Sequence, residues 1–212
     1  MPVHRYAVTW YVTAFMGLQS LLYYATLSWL PTMLRDRGVS AAGAGDLAAL
    51  MGVGNLCVSL LIPVAAQRMR SQVALTVPSV LAIGGGLAAL LYAPLSGAVA
   101  WALILGAGQN AALGLAIYFT AARAPHAAAA ASLSSLAQTV GYLLASAGPL
   151  EVGLLHSATG SWTAPVMVLF ALTAVLLVAG ILAARPKSLP DVADAAAATA
   201  DAAAGQAGNS PA

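Results

Sequence analysis

Ser134, Gln138 and Tyr142 stand four residues apart inside a long apolar run. That spacing stacks three hydrogen-bonding side chains on one face of a helix. Hydrocarbon offers such groups no partner, so the face should look onto protein or a water-filled cavity. Similar groups recur near the middle of other apolar runs: Gln19 and Ser20 with Tyr23 and Tyr24 one turn on, Asn55, and the adjacent Gln109 and Asn110. Glutamine and asparagine both donate and accept, so together they can replace part of a small solute's hydration shell, while tyrosine adds a hydroxyl on an apolar wall. This is the chemistry of solute binding. The candidate cavity-lining residues are Gln19, Tyr23, Asn55, Gln109, Asn110, Gln138 and Tyr142.

Glu151 is the one acidic residue well inside an apolar run, two residues after Pro149, where Gly148 and Pro149 should bend a helix. An intramembrane carboxylate is a functional candidate by default, so Glu151 is a candidate for proton coupling with His156 as a relay. Asp46 stands in the first turn of a helical run, where a carboxylate favours the positive helix end. Bond-breaking chemistry finds no support. The chain has no Gly-x-Ser-x-Gly, no His-Glu-x-x-His and no paired carboxylates at mid-run, so no enzyme is expected. A single cysteine, Cys57, lies in an apolar stretch and reads as a small hydrophobe. Neither a disulfide framework, a metal site nor a cofactor is expected.

The elements that position these residues follow from composition. Charged residues make up only 7% of the 212, hydrophobic residues 61%, and the mean hydropathy is +0.88. A soluble domain could not cover its outside with so few charges. The reading is an all-α membrane protein of six transmembrane helices embedded in the lipid bilayer. A net charge of +2, with basic residues in short connectors and no continuous basic face, gives no reason to expect nucleic acid. The six runs lie near 7–34, 44–66, 74–92, 98–122, 129–155 and 164–184. Residues 1–6 form an N-terminal stub, and 185–212, rich in Ala and Asp, read as a disordered tail. Arg5, Arg68, Arg70, Arg123, Arg185 and Lys187 collect on one side, against Arg35 and Arg37 on the other. Both termini are therefore expected on the cytoplasmic side of the cell (inner) membrane.

Depth separates the runs. The first, second, fourth and fifth bring amide or phenol groups to their midpoints, whereas the third has Gly84, Gly85 and Gly86 there and the sixth little beyond Thr173. Four helices should surround a cavity and two should stand outside as support. The glycines are expected mainly at close helix contacts. A weak echo between Gly17-Leu18-Gln19-Ser20 and Gly108-Gln109-Asn110 suggests two three-helix inverted repeats, about 7–95 and 96–184.

Longer strings carry a resemblance. Gly17-Leu-Gln-Ser-Leu-Leu-Tyr-Tyr, followed by Trp29-Leu-Pro-Thr-Met-Leu-Arg-Asp-Arg-Gly, resembles the seventh helix of cyanate-permease and 2-nitroimidazole-transporter-like members of the major facilitator superfamily. Leu136-Ala-Gln-Thr-Val-Gly-Tyr-Leu-Leu-Ala, running on through Gly148-Pro and Gly153-Leu-Leu-His to Thr159-Gly-Ser-Trp, is similar to the same family. The likeness covers about Trp10 to Ala184. It implies helices seven to twelve of a twelve-helix bundle, with a cavity lined by seven, eight, ten and eleven, and transport of a small polar or anionic, cyanate-like solute by alternating access. Two departures stand out: Gln67 precedes Arg68 where the family has an acidic residue, and Glu151 falls where an apolar residue is expected. A half of this kind needs a separate N-terminal six-helix half or a second copy. The competing expectation is a truncated, non-transporting membrane fragment.

Overall fold

A computed structural model describes residues 3–59, 61–185 and 189. Among the described residues the helical segments run in order: α1 (Ala7–Asp36), α2 (Ala41–Ser59), α3 (Leu61–Arg68), α4 (Val73–Tyr92), α5 (Ala98–Ala122), α6 (Ala127–Thr159) and α7 (Thr163–Ala184). The described residues form no strand. Among the described residues, four stretches are long and apolar enough to cross a membrane: Val73–Tyr92, Leu95–Ala122, Ala127–Thr159 and Thr163–Ala184. The 30 residues of α1 have the length, but its polar centre and several aromatic rings dilute its apolar character.

Local chemistry sets the helix ends. α1 closes where Gly38 takes φ 90°, a conformation that costs glycine nothing. The Gly38 N–H then donates to the Arg35 carbonyl and the Val39 N–H to the Leu34 carbonyl, satisfying two otherwise orphaned groups. α6 opens with the His126 Nδ1 accepting from the Ala129 N–H at 3.2 Å and closes at Gly160, φ 62°. The second apolar run, expected as one helix, is helical on both sides of residue 60, as α2 and α3. α6 passes through Pro149 as a continuous helix.

α1 runs through the middle, packed against α2, α5, α6 and α7. Its contact with α6 is a glycine-to-glycine approach, in which a Cβ on Gly17 would lie 3.1 Å from the Gly141 Cα. α5 is held on two sides: a Cβ on Gly106 would lie 2.0 Å from the Met51 carbonyl of α2, and one on Gly108 would lie 2.7 Å from the Ser79 carbonyl of α4. These glycines act as packing positions, letting backbones approach where lipid supplies no hydrophobic drive between helices. Phe15 and Phe119 meet at 5.7 Å at the centre of the core. α4 and α7 pack on α5, α1 and each other, whereas α6 packs mainly on α1. The tail expectation falls largely outside the described residues. Leu189 is described: its side chain is buried among Val3, Val8 and Leu133, and its N–H donates to the Arg123 carbonyl at 2.8 Å.

Candidate functional site

Among the described residues, three helices line a cavity of about 140 Å³. α1 supplies Gln19, Ser20, Tyr23 and Tyr24, α5 supplies Gln109, Asn110 and Leu113, and α6 supplies Tyr142. The residues come together because each helix repeats its face every three to four positions: Gln19 with Tyr23, Gln109 with Leu113. The Gly17–Gly141 contact brings α1 and α6 close enough for Tyr142 to meet the α1 tyrosines across the cavity. α4 and α7 contribute nothing to this lining.

Two amides at the site differ in state. Gln19 is buried, and its Nε2 donates to the Ser20 Oγ at 2.7 Å, with the Met16 Sδ at 3.7 Å. Gln109 is 2% exposed, and neither its Nε2 nor its Oε1 meets a hydrogen-bonding group among the described residues. A buried donor and acceptor left unmade cost about 1–3 kcal/mol, so this amide is set up to bond whatever occupies the cavity. Tyr23 and Tyr24 pack edge to face at 5.4 Å, forming an aromatic wall. Among the described residues, no Asp, Glu, Lys, Arg or His is in the lining. The site can therefore offer hydrogen bonds and ring faces, and it would suit a small planar solute that is neutral or spreads its charge.

A wider depression formed by Tyr24, Tyr142, Ala145, Ser146 and Pro149 shares two tyrosines with the cavity. Tyr24 and Tyr142 are 43% and 46% exposed, so the cavity opens past them onto the outer face of the α1–α6 pair.

Other candidates stand elsewhere. Gln138 is exposed and outside the lining, and its Nε2 donates to the Ser134 Oγ at 2.8 Å. The face of α6 that meets α1 carries Ala137, Gly141, Ala145 and Gly148, which leaves Gln138 beside that seam. The Asn55 side chain lies outside the described residues, as does that of Cys57. Glu151 is exposed on α6. His156 instead stacks on Trp162 at 3.8 Å with the rings 9° from parallel. The Trp162 Nε1 donates to the Asp36 Oδ2 at 2.6 Å, and the Trp29 Nε1 donates to the Pro149 carbonyl at 2.8 Å. Five residues of helix turn through about 140° from a common face, so Glu151 and His156 point apart. Among the described residues there is no cluster of three or more potential metal-ligating side chains. Leu113, which sequence reasoning passed over, was findable as the residue one turn after Gln109.

No family model matches the chain. It is 40% identical over 188 residues to the uncharacterized transporter YycB of Bacillus subtilis, an alignment covering 85% of this chain and 45% of that protein. It is 36% identical over 187 residues to the 2-nitroimidazole transporter of Escherichia coli, covering 88% of this chain and 47% of that one. With the cyanate transport protein CynX of Escherichia coli the identity is 28% over 153 residues, 72% of this chain and 40% of the relative. The chain thus spans about half the length of these relatives.

Proposed function

The chain belongs to the cyanate permease and 2-nitroimidazole transporter-like family of transporters, and from that premise we propose that it forms the C-terminal half of a major-facilitator-type carrier for a small polar or anionic solute. In this reading α1, the α2–α3 pair, α4, α5, α6 and α7 make six crossings of the inner membrane, with both termini cytoplasmic. Transport proceeds by alternating access, the six helices rocking against a second six-helix body around a site at mid-membrane.

The observation that carries the reading is the Gln109 amide, buried and unmatched in an uncharged cavity of about 140 Å³. A purely structural interior would pair that amide or replace it with an apolar side chain. Support also comes from α6, which leaves Gln138, Tyr142 and Ser146 exposed on a helix otherwise apolar enough for lipid. A second six-helix body would cover them and close the far side of the cavity. The solute binds by hydrogen bonds to Gln109 and Gln19 and by stacking on Tyr23, Tyr24 or Tyr142. Because the described lining residues include no cation, a solute that delocalises its charge, such as cyanate or a nitro-substituted ring, fits better than a compact, strongly hydrated anion.

Uptake of labelled cyanate and of labelled 2-nitroimidazole tests the proposal in cells making this chain alone or together with a six-helix N-terminal half. Saturable uptake in the paired cells supports a half-carrier, and uptake by the chain alone supports a self-paired one. Uptake in neither, with the chain folded in the membrane, would overturn transport and favour a non-transporting fragment.

A further inference from the structure

Two arginines outside the cavity occupy matching places. Arg37 is the residue that closes α1, and Arg123 is the residue that closes α5. Arg37 donates from Nη1 to the Leu90 carbonyl and from Nη2 to the Ala93 carbonyl, the latter at 2.9 Å, so it holds the C-terminal end of α4. Arg123 donates from Nε to the Ala183 carbonyl and from Nη2 to the Ala184 carbonyl, both at 3.0 Å, so it holds the C-terminal end of α7. Each guanidinium fork meets the carbonyls that a helix end leaves without partners and that carry its partial negative charge.

The correspondence extends one step further. Beside Arg37, the Asp36 Oδ2 accepts from the indole of Trp162, the residue immediately before α7. At the other junction the Arg123 Nη2 donates at 2.8 Å to the Oε1 of Gln72, the residue immediately before α4. Gln72 in turn donates to the Ala66 and Met69 carbonyls. In both places the end of one helix grips the end of the helix that closes its own half of the bundle. It also grips the start of the helix that closes the other half. Arg123 is 5% exposed and lies 5.3 Å from the Phe119 ring centre, so burial pushes its guanidinium below its ordinary value without neutralising it.

We propose that Arg37 and Arg123 are equivalent clamps of two inverted three-helix repeats, one at each membrane face, positioning the cavity helices α1 and α5 against the supporting helices α4 and α7. This rests on the six-crossing reading, which sends the ends of α1 and α5 to opposite faces. Each clamp then secures one face independently of the other. α1 brings Gln19 to the cavity and α5 brings Gln109, so the clamps fix the distance between the two amides without touching a solute.

Hydrogen exchange of the full chain in lipid nanodiscs, followed by mass spectrometry, separates such clamps from general stabilising residues. R37Q should raise exchange about tenfold or more at the end of α4, leaving both ends of α7 and the start of α4 unchanged. R123Q should raise exchange at the end of α7 and the start of α4, leaving the end of α4 and the start of α7 unchanged. R37K and R123K should behave like the Gln variants, because an ammonium keeps the charge but loses the two-pronged geometry. Should either arginine variant fail to fold, Q72L and W162F each remove one cross-repeat bond. Each should raise exchange only at the start of α4 or of α7, respectively. Equal rises at both faces, or wild-type exchange in the Lys variants, would overturn the proposal. Because exchange reads the chain without any solute, a failed uptake experiment would leave this outcome distinguishable.

Discussion

Burying an amide with neither atom paired costs about 1–3 kcal/mol, and Gln109 is such an amide at the wall of a cavity. The stability and binding consequences of replacing it therefore have opposite signs. Q109L should raise the detergent melting temperature while weakening solute binding about tenfold, read as a higher KM with little change in kcat. Q138L should leave KM close to wild type, since the Gln138 amide bonds to Ser134 on its own helix, outside the lining. Equal KM effects in the two variants would remove Gln109 from its special role. Glu151 is exposed and points away from His156, whose ring is engaged with Trp162. E151Q should accordingly leave the pH dependence of uptake unchanged. A flattened pH profile would restore proton coupling to this carboxylate.

At the scale of the helices, close approach rather than side-chain bulk sets the architecture. A Cβ on Gly106 would run into the Met51 backbone carbonyl, and main chain cannot turn aside as a flexible side chain can. G106V should cost about 3 kcal/mol or more and separate α5 from α2. Gly85, in the middle of α4, has nothing within 4 Å of a Cβ. G85A should therefore be neutral or stabilising by up to about 1 kcal/mol. Heat-inactivation midpoints of the two variants in the same detergent check both statements. Comparable losses would mean that the α2–α5 contact is looser than the backbone distances indicate.

For the molecule as a whole, a low share of charged residues and long apolar runs are consequences of a lipid solvent, and they are legible residue by residue. The helical class, the run boundaries to within a few residues and the division between helices with mid-run amides and those without all follow from one-dimensional pattern. So does the family, which rests on strings such as those beginning at Gly17 and Leu136. The cavity is different. Pattern can say that Gln19, Gln109 and Tyr142 sit on polar faces, but only the packing of α1 between α5 and α6 decides that these faces meet and that Gln138 lies beside the seam. The two arginine junctions were equally hidden. In sequence Arg37 and Arg123 are loop charges that orient the chain, and their carbonyl partners are 53 to 61 residues away. Local composition determines what each helix can be, because hydration and backbone bonding act over a few residues. Which side chains share a site depends on contacts between distant segments, and those exist only once the helices are packed.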